Sequence, residues 1–401
     1  METVVIVGAS LSGIRAASTL RDEKFEGRIV LVGAENHAPY DRPPLSKQFL
    51  AGKWDRDRIA LMAPQKLEAL GLDLRLGHRV TAIDPEGHTV ELDDGGRVTF
   101  DKAVIATGSH PKQLRGVLES RAVMTLRTID DSRRLSAALG DGDSVTHLVV
   151  VGGGFIGAEV AATAKARGAE VTVLEALDVP LQRVLGDRIG GACKALHESH
   201  GVEVRTGTGV TGISTAGSGA VVNLDDGTEL GADVVVVGIG IAPTTEWLEG
   251  SGVEVSDGVL VDSTLHATDD VLAAGDVARW VDDESGSTTR AEHWTNAAEQ
   301  GAAVARSLLA GRRSAEHYLP LPYIWSDQYD IKIQVLGNPR PDDVVEVVDG
   351  SEEDGRFVAI FGRGGNLTAA VGFGRPRQLM RFRSLLLDHK SFEEARSFLS
   401  A

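Results

Sequence analysis

Residues 149–157 read VVVGGGFIG, and residues 4–13 read VVIVGASLSG. In each, a β-branched run meets a glycine turn and passes into an Ala-rich stretch of helical composition. A second strand-like run then ends in an acid: RIVLVGAE ends at Glu35, and AEVTVLE ends at Glu175. Glycines at such points permit a tight turn and close approach of a pyrophosphate. The helix start offers aligned N–H groups, and an acid roughly 20 residues on hydrogen-bonds a ribose. One such turn is weak evidence. Two, each in strand–turn–helix context, predict an α/β chain with two Rossmann-like dinucleotide-binding domains.

The second copy carries Gly152, Gly154 and Gly157. The first carries Gly8 and Gly13 but has Ser10 at the middle position, where a Cβ restricts how near the backbone comes to a phosphate while the hydroxyl can donate to it. The plain alternative for either turn is an ordinary βα connection, and the two acids argue against it. Two sites call for two dinucleotides, and hydride chemistry suggests one flavin and one nicotinamide. Glu175 favours NADH over NADPH, since a 2′-phosphate beside a carboxylate is repelled and residues 176–181 hold no arginine to receive it.

Composition bounds the rest. The 401 residues allow two or three domains, and 42% apolar with 25% charged residues is ordinary for a globular protein. The longest apolar run, Val234 to Ala242, is broken by Gly238 and Gly240 and falls short of the ~18 residues that span a bilayer. The N-terminus runs directly into Val4–Val7, so no signal peptide is expected and a cytoplasmic protein is the default. Cys193 is the single cysteine, which excludes disulfide scaffolds and cysteine-rich metal sites. A net charge of −17 argues against nucleic acid and anionic membranes as partners. Against that trend, Gly355–Leu387 holds no acid but carries Arg356, Arg363, Arg375, Arg377, Arg381 and Arg383. Those arginines are either balanced by acids elsewhere in the fold or form a docking patch for an acidic partner.

Further stretches carry a family resemblance. Ala106-Thr107-Gly108 follows a hydrophobic run, Val271–Asp276 reads VLAAGD, and Val234–Gly240 lies between them. In this order they resemble the two-dinucleotide flavoprotein disulfide reductase superfamily. Tyr40–Lys47 (YDRPPLSK), Glu292–Ala297 (EHWTNA) and Pro322–Gln328 (PYIWSDQ) are similar to the oxygenase-coupled ferredoxin reductases, the group of putidaredoxin reductase, rhodocoxin reductase and aromatic dioxygenase reductases. Disulfide reductases of the superfamily carry a redox cysteine shortly before the lysine that matches Lys47, whereas here Pro44, Leu45 and Ser46 stand there. Thiol–disulfide exchange needs a thiolate beside the flavin, so electrons are expected to pass directly to an outside acceptor.

The resemblance implies an FAD-dependent NADH:ferredoxin reductase acting on an iron–sulfur ferredoxin, of 2Fe–2S type, that feeds a monooxygenase or dioxygenase. Gly8, Ser10, Ser12, Gly13 and Glu35 would hold the pyrophosphate and ribose of FAD. Arg42, Lys47, Val80, Ala106, Thr107, Gly108, Arg127, Gly275, Asp276 and Trp294 would line the remainder. NADH would take Gly152, Gly154, Phe155, Ile156, Gly157, Glu159, Glu175 and Gly240. Lys47, paired with Glu159, would favour the reduced flavin, and Trp294 would lie against it, with Trp325 a second candidate for the electron exit. Read without the family, Lys47 is a solvated residue, Glu159 an early-turn acid, Val80 a core residue, Arg127 an ion-pair member and both tryptophans core filling.

Motif order gives an FAD-binding domain at 1–109 and 240–318, an inserted NAD-binding domain at 110–239, and a C-terminal α+β interface domain at 319–401. The last contains strand-like runs at Ile331–Val335, Val344–Val348 and Phe357–Phe361 and ends in a helix opened by Pro376. Two other functions fit the same residues: reduction of a small organic acceptor or oxygen, and redox sensing by a flavoprotein. Monomer and homodimer are both compatible with the charge.

Overall fold

A computed structural model describes residues 1–117, 120–140, 146–281 and 286–399, which form two compact units. The first unit is Met1–Asp41, Arg56–His110 and Ile241–Pro320. Its centre is a five-stranded parallel sheet in the order Val271–Ala273, Lys102–Ile105, Thr3–Val7, Arg28–Gly33, Asp73–Leu76. The inner strands are near-continuous apolar runs because a parallel sheet is covered on both faces; Val4, Val5, Ile6, Ile29 and Val104 are all fully buried. Val80–Asp84, Thr89–Leu92 and Arg97–Thr99 add a small antiparallel sheet.

Helix Leu11–Asp22 follows the first strand, and helix Trp294–Ala310 packs closely on it. A Cβ at Gly301 would lie 2.6 Å from the Ser12 carbonyl oxygen, so the second helix approaches the first through a position with no side chain.

The second unit is Arg42–Asp55, Pro111–Gly240 and Leu321–Ala401. Segment Arg42–Asp55 belongs here although the residues on both sides of it belong to the first unit. A second five-stranded parallel sheet runs Glu203–Arg205, Glu170–Leu174, His147–Val151, Val234–Val237, Val123–Met124. A five-stranded antiparallel sheet follows, ordered Tyr323–Gln328, Ile331–Gly337, Asn366–Phe373, Arg356–Arg363, Val344–Ser351. Helix Gln182–Ser199 covers it: Leu185, Ile189 and Cys193 share one core with Ile333, Phe357, Phe361 and Phe373.

Two C-terminal strands, Tyr323–Gln328 and Asn366–Phe373, add to the runs the sequence marks as strands. The second is rich in Ala and Gly, which have low strand propensity, yet it is a central strand, and a Cβ at Gly372 would stand 3.1 Å from the Leu379 side chain that packs there. The single terminal helix expected after Pro376 is instead three short ones, Pro376–Met380, Phe382–Leu387 and Phe392–Ser397. His389 adopts a left-handed φ of 51°, and Ser391 then opens a new helix with a capping box.

A helical glycine replaced by alanine ordinarily stabilises by about 1 kcal/mol. G301A should do the reverse, lowering stability by roughly 1–3 kcal/mol through overpacking against Ser12; a melting temperature equal to or above that of the wild type would contradict this packing.

Candidate functional site

The same construction opens both parallel sheets. Gly8 has φ +119°, and a Cβ there would stand 2.1 Å from the Ala106 carbonyl oxygen; Gly152 has φ +105°, with a Cβ 2.4 Å from the Gly238 carbonyl oxygen. Only glycine tolerates both the backbone angle and the contact. Gly13 and Gly157 press each helix against its own turn, since a Cβ at either would stand 1.8 Å and 2.1 Å from the Gly8 and Gly152 carbonyl oxygens.

Helix starts in the chain are of two kinds, with and without a side-chain cap. Thr128 and Ser391 close their helices with complete capping boxes. Ser10 and Gly154, the N-caps of Leu11–Asp22 and Phe155–Ala166, make no side-chain cap hydrogen bond. His293 likewise leaves helix Trp294–Ala310 without a side-chain cap. First-turn N–H groups at such ends favour an anion.

In the first unit Glu35 accepts a hydrogen bond from the buried Tyr40 hydroxyl, which fixes the carboxylate at the end of its strand. Ser12 donates to the Ala297 carbonyl at 2.7 Å, so its hydroxyl ties the first motif to the Trp294 helix. The Gly275 N–H donates to Gln300 Oε1 at 2.8 Å, and Ser109 Oγ donates to Asp276 Oδ2 at 2.7 Å. Thr107 Oγ1 donates to the Thr244 carbonyl, and Gly108 follows with φ +67°. Trp294 Nε1 donates to Asp41 Oδ1 at 2.6 Å. Val80 and Ala106 are buried in the core of this unit.

Three buried polar side-chain atoms here make no hydrogen bond among the described residues: Arg290 Nε, Gln300 Nε2 and His293 Nδ1. Leaving such an atom unsatisfied costs about 1–3 kcal/mol, so it calls for a polar partner. Burial pushes the His293 imidazole down to about 4, only partly opposed by Asp276. Together with the glycine cradle and the uncapped helices, these atoms fit a bound dinucleotide.

In the second unit both Glu175 oxygens accept backbone donors, from Gly153 N–H at 2.7 Å and Leu177 N–H at 2.9 Å, which orients the carboxylate beside the turn. A Cβ at Gly154 would meet nothing within 4 Å, so open space lies at the start of the helix. Ile156 is 46% exposed there, while Phe155 packs against the C-terminal core. Gly240, with φ +109°, accepts from the Lys112 N–H. Arg42 donates to the Arg127 carbonyl at 2.8 Å, and the Arg127 N–H donates to Asp131 in the helix cap.

Lys47 and Glu159 form a buried pair at 2.9 Å, being 8% and 3% exposed. The same carboxylate accepts from Ser46 Oγ at 2.5 Å and from Ser326 Oγ at 2.8 Å. Three donors on one buried carboxylate meet the requirement that a buried charge be paired and hydrogen-bonded. Sequence reading paired Lys47 with Glu159 but gave no role to Ser46, Ser326, Tyr40, His293 or Gln300. All but Gln300 lie inside the quoted YDRPPLSK, EHWTNA and PYIWSDQ stretches, which was the available signal.

Cys193 is 1% exposed, and burial pushes its thiol up to about 12. It is a core side chain and not a nucleophile. Of the six C-terminal arginines, Arg356, Arg363 and Arg375 pair with Asp330, Asp343 and Asp349, while Arg377, Arg381 and Arg383 are exposed.

Residues 2–301 match the pyridine nucleotide-disulphide oxidoreductase family, and residues 323–398 match the reductase C-terminal family. The chain belongs to the pyridine nucleotide-disulphide oxidoreductases. Within them it belongs with the ferredoxin reductases. It is 36% identical over 387 residues to rhodocoxin reductase of Rhodococcus erythropolis, across 96% of this chain and 89% of that one. It is 39% identical over 378 residues to the anthranilate 1,2-dioxygenase system ferredoxin–NAD(+) reductase component of Burkholderia cepacia, across 92% and 91%. The crystal structure of the covalent putidaredoxin reductase–putidaredoxin complex superposes with a TM-score of 0.90 at 32% identity, across 97% of this chain and 93% of that one.

Burial lowers His197 from 6.5 to about 4. The unfolded chain therefore takes up this proton first, and stability that is full above pH 6.5 is lost as pH falls toward 4. By linkage the loss is about 2 kcal/mol at pH 5. Denaturation of H197Q at pH 7 and pH 5 should show a fall shallower by about that amount; equal slopes would contradict the burial.

Proposed function

We propose that the protein oxidises NADH with FAD and passes electrons to an iron–sulfur ferredoxin, of 2Fe–2S type, that serves a monooxygenase or dioxygenase. The observation that carries this reading is a pair of dinucleotide cradles in a chain whose single cysteine is buried away from chemistry. Relatives named as a rhodocoxin reductase and as a dioxygenase system's ferredoxin–NAD(+) reductase component support the choice of acceptor.

Bound FAD supplies acceptance of a hydride and release of single electrons. In this reading the FAD-binding domain is 1–109 with 240–318, the NAD-binding domain 110–239, and the interface domain 319–401. Gly8, Ser10, Gly13 and Glu35 hold FAD through the turn, the helix start and the ribose acid, and Asp276 holds it through a carboxylate oriented by Ser109. Ser12 serves by fixing the Trp294 helix to the turn. Val80, Arg42, Arg127 and Trp294 are further flavin contacts. Gly152, Gly154 and Gly157 admit the NADH pyrophosphate, and Glu175, fixed by two backbone donors, receives its ribose. Lys47, held by Glu159, is the cation that favours the reduced flavin.

The protein acts in the cytoplasm, and no described helix is long and apolar enough to cross a membrane. Arg377, Arg381 and Arg383 form the candidate docking patch for an acidic ferredoxin.

With NADH and cytochrome c, purified protein should turn over only when a ferredoxin from the same organism is added. Turnover indifferent to ferredoxin would favour a small acceptor or oxygen, and negligible turnover a sensor. R377E with R381E should weaken ferredoxin reduction by roughly tenfold, about 1.4 kcal/mol, and leave ferricyanide reduction intact; equal loss with both acceptors would refute the patch.

A further inference from the structure

The Lys47–Glu159 pair is the end of a longer arrangement. Ser326 and Gln328 project from the same face of strand Tyr323–Gln328, and both are fully buried. Ser326 Oγ lies 2.8 Å from Glu159 Oε1, and Gln328 Nε2 lies 3.2 Å from Ser326 Oγ. Gln328 Oε1 lies 3.0 Å from His197 Nε2, and His197 Nδ1 lies 2.9 Å from the Tyr329 hydroxyl. His197 comes from helix Gln182–Ser199 and is 2% exposed. On the opposite strand face, Asp327 Oδ2 stands 3.8 Å from Lys47 Nζ while its other oxygen pairs with Lys332 at 2.7 Å.

The direction of every bond is determined. An ammonium only donates, so Glu159 Oε1 accepts from Lys47, and a hydroxyl beside that carboxylate donates to it as well. Ser326 Oγ is then left to accept, which fixes the Gln328 amide with its NH2 toward the serine. Gln328 Oε1 must accept in turn, so His197 carries its proton on Nε2, and Nδ1 accepts from Tyr329. All links point one way, from Tyr329 toward Glu159. A chain of this kind polarises along its length and holds its terminal acceptor in one orientation.

We propose that Ser326, Gln328 and His197 are positioning residues that set the place of Glu159 and, through it, of the Lys47 ammonium. The inference rests on the reading of Lys47 as the cation that favours reduced flavin. It adds that the C-terminal sheet tunes that cation. Strand Tyr323–Gln328 contacts Glu159 through Ser326 and Lys47 through Asp327, so a shift in this strand alters the charge that sets flavin reduction.

The test measures the midpoint potential of the bound flavin, together with KM and kcat for NADH, in S326A, S326T, Q328L and K47M holoenzymes. S326A and Q328L should weaken flavin reduction about tenfold, a shift of about 30 mV to more negative potential for a two-electron couple, with KM for NADH unchanged. S326T keeps the hydroxyl and should restore the potential, which separates donation from packing. If K47M shifts the potential but S326A and Q328L leave it at the wild-type value, the positioning role is overturned while the reading of Lys47 stands. If K47M also leaves it unchanged, both fall. Should Q328L fail to fold, the S326A and S326T pair decides alone.

Discussion

The two strand–turn–helix openings of this molecule depend on backbone touching backbone. At Gly8 and again at Gly152 the chain leaves a strand so close to a neighbouring carbonyl that a single added carbon would stand 2.1 or 2.4 Å from it. That approach brings the following helix start to the strand end, and the helices there are left uncapped while Thr128 and Ser391 cap theirs fully. The difference is physical. Capped ends have their first-turn N–H groups satisfied by side chains, whereas uncapped ends beside a glycine turn keep those groups available to an anion.

The sequence made this part legible because the constraint is local. A glycine that cannot carry a Cβ, a β-branched strand and an acid at the end of the next strand are all within one short window. The Ser10 substitution did not disturb the geometry, since the residue sits at an extended N-cap with φ −101°, an angle open to any side chain. The excursion of Arg42–Asp55 into the second unit was not legible, because no composition shift marks it. Nor were strands Tyr323–Gln328 and Asn366–Phe373; in the second, Ala and Gly have low strand propensity, and pairing with a strand on each side decides the conformation.

The buried polar cluster shows the limit more sharply. Glu159 meets Lys47 across 112 positions and Ser326 across 167. Nothing in residue type or spacing joins three such segments. The family resemblance supplied the pair, but the serines and the His197–Gln328 contact emerge only from the fold. The C-terminal arginines make the same point in the other direction. The run between Gly355 and Leu387 lacks acids, yet Asp330, Asp343 and Asp349 reach Arg356, Arg363 and Arg375 from adjoining hairpins. Half of an apparent basic patch is thereby engaged in ion pairs within the fold, while Arg377, Arg381 and Arg383 stand exposed in the helical segment.

These two facts bear on how the chain departs from the chemistry its family is named for. A disulphide relay works through a reactive thiolate, and the one cysteine here is packed among Leu185, Ile189 and Phe357 with its thiol pushed up to about 12. No cysteine-based covalent intermediate is then available to carry charge onward. What remains to the protein is electrostatic: a cation that cannot drift, and a carboxylate that cannot rotate away from it. A lone ammonium in that interior would be too costly to keep charged. A pair with only one hydrogen bond would retain freedom to move. Ser46, Lys47 and Ser326 each donate to Glu159, and together they remove that freedom. Fixing a charge in this way requires donors from distant parts of the chain, and here they come from segment Arg42–Asp55 and strand Tyr323–Gln328, both in the second unit.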